Sequence, residues 1–287
     1  MLYKGLLFIS TDHGCGDDGG YVYAFEKATG KLRWKLKANG PSTSFAQIDD
    51  SIVLGTRNDE WLSLRMNSGK ANWTFRDASP DPQCEIHTAP VSDGERVLFV
   101  THQGTIFALS AAGDKVWSKQ PSSPVTTSPF MYKDVLYFGV NDGHIYGLNP
   151  ADGGPLVELQ IPAIPKGRFA WSSKGDVDTE YVFAKENKDG HNQGVLVAFT
   201  DEFERVLWSR SSEREWTSEE PHVWKDWIIA GNCKGDVVAY RAADGKQVWS
   251  DHVKGCIRSF GHDGSTLFIG VQEGTLYAYK PRKWNVR

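Results

Sequence analysis

Seven side chains carry most of the chemistry that this sequence offers: Arg168, Trp171, Trp216, Glu219, Glu220, Arg258 and His262. Carboxylates, guanidinium groups and indole faces converging on one surface would suit a polar ligand such as a sugar or a peptide. The same charges could instead tie neighbouring elements together as salt bridges. Glu219 and Glu220 are consecutive, so on a strand their side chains point to opposite faces and cannot act as one acid–base pair across a sugar ring. A lyase using His87, His222 or His262 with an acidic partner stays open, although no spacing enforces it. The segment TDHGCGDDGG offers nitrogen, sulfur and oxygen ligands from His13, Cys15, Asp17 and Asp18. Their spacing matches no zinc pattern and the glycines suggest a solvated turn, so no metal is expected. A serine elbow, a phosphate-binding loop and a helix-borne HExxH are all missing from the sequence.

The elements that must position these residues repeat along the chain. A glycine followed by an apolar-aromatic-small-apolar run recurs as GYVYAF from Gly20, GTIFAL from Gly104, GHIYGL from Gly143, GVLVAF from Gly194, GDVVAY from Gly235 and GTLYAY from Gly274. DEWLSL from Asp59 is a seventh, weaker copy, and the unit averages about 42 residues. Each unit reads as a short strand ending near Ser-Pro, as in TTSPF at 126–130. A β-branched and aromatic strand follows, such as VLYFGV at 135–140, then a tight turn, a third strand, a second turn and a strand ending in Trp. Nothing in the chain has a helical period. Four short antiparallel strands per unit, repeated radially, predict an all-β, seven-bladed β-propeller of four-stranded antiparallel blades.

Trp34, Trp73, Trp117, Trp208 and Trp249 share one slot near the end of their units, and Val157 takes it in the fourth. A flat ring recurring once per blade predicts a wedge between neighbouring sheets, burying on the order of 200 Å² and leaving its N–H to meet a backbone carbonyl. Trp61, Trp224 and Trp227 lie outside the slot and either pack within their blades or offer contacts to a partner. Gly20, Tyr23, Ala24, Phe25, Thr29, Gly30 and Trp34 spell out a pattern that resembles the PQQ-type, quinoprotein-alcohol-dehydrogenase-like propeller repeat, similar to that of BamB-type propellers. The likeness covers essentially the whole chain. It implies residues 1–287 as a single propeller domain, with the first blade lacking its innermost strand and the last blade shortened. A quinoprotein enzyme of this family would bring eight blades, a vicinal cysteine pair and a calcium site. No two cysteines are adjacent here, so PQQ-dependent catalysis is set aside and no cofactor is expected.

Aligning the innermost strands on Ser-Pro puts Thr43, Thr88, Thr127, Trp171, Glu219 and Arg258 in one slot, with Glu85, His87, Arg168, Trp216, Glu220, His222 and His262 nearby. The early blades thus supply hydroxyls, and the late blades an aromatic and charged cluster at the channel mouth. The chain carries 32 basic and 36 acidic residues, net −4, with no dominant sign, which counts against nucleic acid as a partner. No apolar run approaches the roughly 20 residues of a membrane span. Cys15, Cys84, Cys233 and Cys256 show no CxxC spacing; a reduced set of thiols fits best, with two disulfides as the alternative that geometry would decide. As it stands the sequence points to the cytoplasm, and to the periplasm if a leader has been removed. The function expected is a non-catalytic binding or scaffolding propeller that presents its channel mouth or a face to a protein or glycan partner. The alternative is a propeller lyase or hydrolase acting on a polar carbohydrate or lactone.

Overall fold

The computed structural model describes residues 1–12, 19–41, 44–56, 60–76, 89–101, 103–174, 177–218 and 220–280. Among these the chain is almost entirely strand, and the only helical turn is a 3-10 turn at Asp201–Phe203. The strands form seven antiparallel sheets, each built in sequence order from consecutive strands. The first sheet comprises Leu2–Tyr3, Leu6–Asp12, Gly20–Glu26 and Leu32–Ala38. The second, third and fourth span residues 46–76, 91–119 and 130–160. The fifth comprises Ile164–Lys174, Val177–Lys188, His191–Thr200 and Val206–Ser212. His222–Trp224, Trp227–Gly231, Asp236–Arg241 and Gln247–His252 make the sixth, and Ile257–His262, Leu267–Val271 and Leu276–Tyr279 are the described strands of the seventh. The chain divides into two compact units, Met1–Phe138 with Tyr146–Leu156, and Gly139–Ile145 with Val157–Arg287.

Two expectations need correction. The first sheet does have a leading strand: Leu2–Tyr3 pairs with Leu6–Asp12, shortened to two residues. The leading strands also start after the prolines instead of ending at them, at Val91, Phe130 and His222, each directly following Pro90, Pro129 or Pro221. Proline has no N–H to give to a ladder, so pairing begins one residue later.

Apolar layers lie between successive sheets within each unit. Phe8, Val22 and Ala24 of the first sheet meet Ile52, Leu54 and Leu64 of the second. In the other unit Tyr181, Phe183 and Leu196 meet Ile228 and Ala230, while Trp224, Ile229 and Val237 meet Ile257, Leu267 and Ile269. Sheets buried on both faces read as near-continuous apolar runs, which is why VLFV and VLYFG show no alternation.

The slot tryptophans join the sheets by one repeated device. The Nε1–H of Trp34 donates to the Met66 carbonyl at 2.7 Å, that of Trp73 to Ala111 at 2.9 Å, that of Trp117 to Pro150 at 2.8 Å and that of Trp208 to Ala242 at 2.9 Å. Each acceptor opens the turn after the third strand of the next sheet. In that turn a glycine at positive φ lies flat against the indole: Gly69, Gly113, Gly153 and Gly245. A β-bulge before each slot residue aims the ring inward, and across the strands it faces a small residue, as in Ala24 opposite Trp34, Ser63 opposite Trp73 and Ala198 opposite Trp208. The small position of the repeat motif is therefore the floor on which the indole rests. Trp249 packs in the layer between the sixth and seventh sheets, 5.6 Å from the Tyr279 ring.

Candidate functional site

The leading strands of the sixth and seventh sheets lie side by side and bring Glu220, His222 and Arg258 to one cavity of about 250 Å³, completed by Ser218, Ser259 and Phe260. The lead-in to the sixth sheet is pinned to the seventh: Thr217 Oγ1 donates to the Ile257 carbonyl at 2.8 Å, and Thr217 N–H donates to Gly231. The Arg258 guanidinium is oriented by Gln272, whose Oε1 accepts from Nε at 3.2 Å and from a terminal nitrogen at 2.7 Å. His262, on the same strand, stands with its ring 5.4 Å from that of His222 and stacks on Trp224 at 6.2 Å. Its Nδ1 accepts from the Gly264 N–H at 3.2 Å.

His222 is the unusual member. Its ring packs 5.8 Å from Phe260, and its Nε2 is buried with no hydrogen-bond partner among the described residues. Burial first, and the nearby His262 second, lower its pKa from 6.5 to about 4, so the imidazole is neutral at physiological pH. Ser218 Oγ is likewise buried and without a partner among the described residues. Ser218 and His222 thus both line the cavity, and each keeps a buried polar atom that the described residues do not satisfy.

The remaining expected residues are dispersed. Arg168 sits half-buried at a register shift in Ile164–Lys174, and Trp171 on the same strand is 53% exposed. Neither lines the cavity. Trp216, expected at the mouth, is 1% exposed in the apolar layer between the fifth and sixth sheets, against Phe183 and Tyr240. An indole lying between two apolar sheet faces gains more from burial than from a place at a polar rim. Glu219 lies outside the described residues, as do Thr43, Glu85, His87, Thr88, His13, Cys15, Asp17 and Asp18. Trp61 and Trp224 are buried and Trp227 is partly so, which makes them packing residues.

Three features escaped sequence reasoning. Phe260 and Ser259 line the cavity but carry no motif. Glu180 is 1% exposed, neither of its oxygens has a partner among the described residues, and burial, aided by the charges of Asp201 and Asp178, pushes its pKa up to about 7. Cys233 and Cys256, expected as reduced thiols, form a disulfide that ties the turn after Trp227–Gly231 to the start of the seventh sheet. A separation of 23 residues in sequence says nothing of that proximity, because the turn and the sheet boundary create it.

Among the described residues no helix is long and apolar enough to cross a membrane. Comparison with known proteins supports the repeat architecture. The chain is 20% identical over 232 residues to an outer membrane protein assembly factor BamB from Nitrosomonas eutropha, and 21% identical over 237 residues to one from Shewanella oneidensis. These matches take in 76% and 77% of this chain and 54% and 56% of those proteins, so the chain spans about half the length of the curated relatives it matches. The crystal structure of BamB from Moraxella catarrhalis superposes with a TM-score of 0.57 at 16% identity, over 96% of this chain and 100% of that one. A computationally designed protein, Ika8, superposes with a TM-score of 0.69 at 14% identity, over 98% of this chain and 82% of that one. Both likenesses speak to the fold, a seven-bladed β-propeller of antiparallel sheets. The family model described as outer membrane protein assembly factor BamB matches residues 18–199 and 191–283, and the chain belongs to that PQQ-like repeat family.

Proposed function

We propose that this protein is a non-catalytic scaffold whose cavity between the sixth and seventh sheets holds a segment of a protein partner engaged in outer-membrane protein assembly. The carrying observation is that His222 and Ser218, each with a buried polar atom left without a partner among the described residues, line the same cavity as Arg258. A neutral imidazole and a hydroxyl match the N–H and C=O groups of a polypeptide backbone, and a guanidinium held by Gln272 matches an acidic side chain. The names of the relatives supply the process in which such a partner would be met. We place the protein on the periplasmic side, where the Cys233–Cys256 pair suits an oxidising compartment.

Site-specific photo-crosslinking from positions 220 and 258, in the cell of origin, tests this reading. Capture of a defined outer-membrane assembly protein, lost in Arg258→Glu while the thermal transition stays in place, is the expected result. Crosslinks to that protein from other positions only would remove this cavity from the scaffold, and none at all would remove the function.

The lowered pKa of His222 favours one second reading, the propeller lyase or hydrolase acting on a polar carbohydrate or lactone at the same cavity. Turnover of such a substrate, abolished by His222→Gln in a folded variant, would establish it in place of the scaffold.

A further inference from the structure

The fifth sheet carries an extension that packing between sheets does not explain. Its second and third strands, Val177–Lys188 and His191–Thr200, run to 12 and 10 residues, against 5 and 6 for Trp227–Gly231 and Asp236–Arg241 in the sixth. The excess is a two-stranded arm in which Glu186 pairs with Gln193, Asn187 with Asn192 and Lys188 with His191. Asp189 and Gly190 close it at φ 53° and 79°, the left-handed pair that a two-residue hairpin turn requires. No residue from 186 to 193 offers an apolar side chain, so the arm adds no apolar burial, and a hairpin of two strands is marginal by itself in water.

One edge of the arm runs on past the ladder beside it. Along a strand in an antiparallel pair, the backbone N–H and C=O turn to the same side at every second residue. Gly194 is the last residue of the third strand to pair with the fourth, opposite Ser212, and its N–H donates to the Arg214 carbonyl at 3.0 Å. Asn192, two residues earlier, turns its N–H and C=O to that same side, beyond the end of the ladder.

His191 and Asn192 line a cavity of about 460 Å³ together with Arg214, Thr217, Cys233 and Lys234. Its walls all belong to one compact unit: the arm, the lead-in to the sixth sheet and the turn after Trp227–Gly231. Arm and lead-in are fastened by Glu215, which accepts from Lys166 Nζ at 2.7 Å and from Asn192, and these bonds hold its carboxyl below the ordinary carboxylate range. The turn is fastened by the Cys233–Cys256 bridge and by the buried Asn232, whose Oδ1 accepts from the N–H groups of Lys234 and Asp236 at 2.9 and 3.1 Å. With Glu215 committed to Lys166, the exposed cations Arg214 and Lys234 outnumber Glu213, the other carboxylate of the lining.

We propose that this arm and cavity dock a partner polypeptide in extended form, which adds an acidic strand to the edge at Asn192 and sets its carboxylates on Arg214 and Lys234. A strand that runs on past its ladder is a template for a further strand, and main-chain hydrogen bonds supply the attachment. The two cations select the charge of the incoming chain. The cavity at His222 shares no lining residue with this one, so the docking surface stands or falls without it.

A fluorescein-labelled peptide of sequence VEVEVEV serves as the probe, with VKVKVKV and a VEVEVEV methylated at every backbone nitrogen as controls. Fluorescence anisotropy against the full chain should show saturable binding of VEVEVEV alone. Lys234→Glu, on the exposed turn, should weaken it by about tenfold or more with the thermal transition in place. Arg214→Glu should do the same and provides a second variant in case one of the two disturbs its wall. Hydrogen exchange at the Asn192 amide should slow when the peptide binds, which a purely ionic contact would not produce. Absence of saturable binding at millimolar peptide overturns the proposal, and so does binding that neither variant weakens or that either control peptide matches. Concentration-dependent self-association in sedimentation velocity, removed when residues 187–192 are replaced by an Asn-Gly turn, would give the edge to a second copy and also overturn it.

Discussion

Gly69→Ala and Gly30→Ala form a matched pair that isolates the energy of one inter-sheet joint. Both glycines hold φ +68°, both sit in the turn after a third strand, and both donate to the carbonyl four residues back. Left-handed backbone costs an alanine roughly 1–2 kcal/mol, and the stiffer unfolded chain returns about 0.4–1 kcal/mol, so Gly30→Ala should cost about 1 kcal/mol. At Gly69 the same methyl would lie 2.7 Å from Cδ2 and Cε3 of Trp34, inside van der Waals contact. Overpacking of that kind costs typically 1–3 kcal/mol, and the indole cannot retreat without stretching its 2.7 Å bond to the Met66 carbonyl, worth about 1 kcal/mol more. Gly69→Ala should therefore exceed Gly30→Ala by about 2–3 kcal/mol. Urea titrations followed by circular dichroism and indole fluorescence measure the difference as a shift in midpoint at constant slope. Equal losses, to within about 0.5 kcal/mol, would show that the indole does not seat on the glycine, and the account of the joints would fail.

Two further outcomes are expected. Glu180 has a folded-state pKa of about 7 against the ordinary value of 4.5, so the folded state binds its proton more tightly than the unfolded state. Its contribution is complete below pH 4.5 and is lost as the pH rises through 7. Glu180→Gln should then gain up to about 3 kcal/mol over wild type at pH 8 and little at pH 4, as read from denaturation at the two pH values. The Cys233–Cys256 bridge closes a loop over a separation of 23 residues, so Cys233→Ser with Cys256→Ser should cost about 3 kcal/mol. A reducing agent should lower the thermal transition of the wild type and leave that of the double variant unchanged.

The fold was legible because its joints leave several marks in each unit. The tryptophan, the small residue beneath it and the turn glycine are three views of one contact, as with Trp34, Ala24 and Gly69. The site was less legible, for a physical reason. Strands such as His222–Trp224 are three residues long, too short to hold a period, so no alternation tells which side chains face a cavity and which face a layer. Trp216, expected at the channel mouth, lies in the apolar layer, while Phe260, which carries no motif, lines the cavity. Proline cannot donate to a ladder, so the leading strand of the fourth sheet begins at Phe130 and Thr127 precedes it. The disulfide and Glu180 depend on tertiary neighbours with no local signature.

The division between legible and hidden parts follows from how the joint constrains the repeat. Each joint engages a third strand, the turn after it and a fourth strand, and so holds the motif constant from Gly20 to Trp34 and from Gly235 to Trp249. It makes no demand on the lead-in and first strand of a unit, where Thr217–Glu220 and Ile257–His262 differ most from their counterparts. These segments carry Ser218 Oγ and His222 Nε2, both buried and without a partner among the described residues.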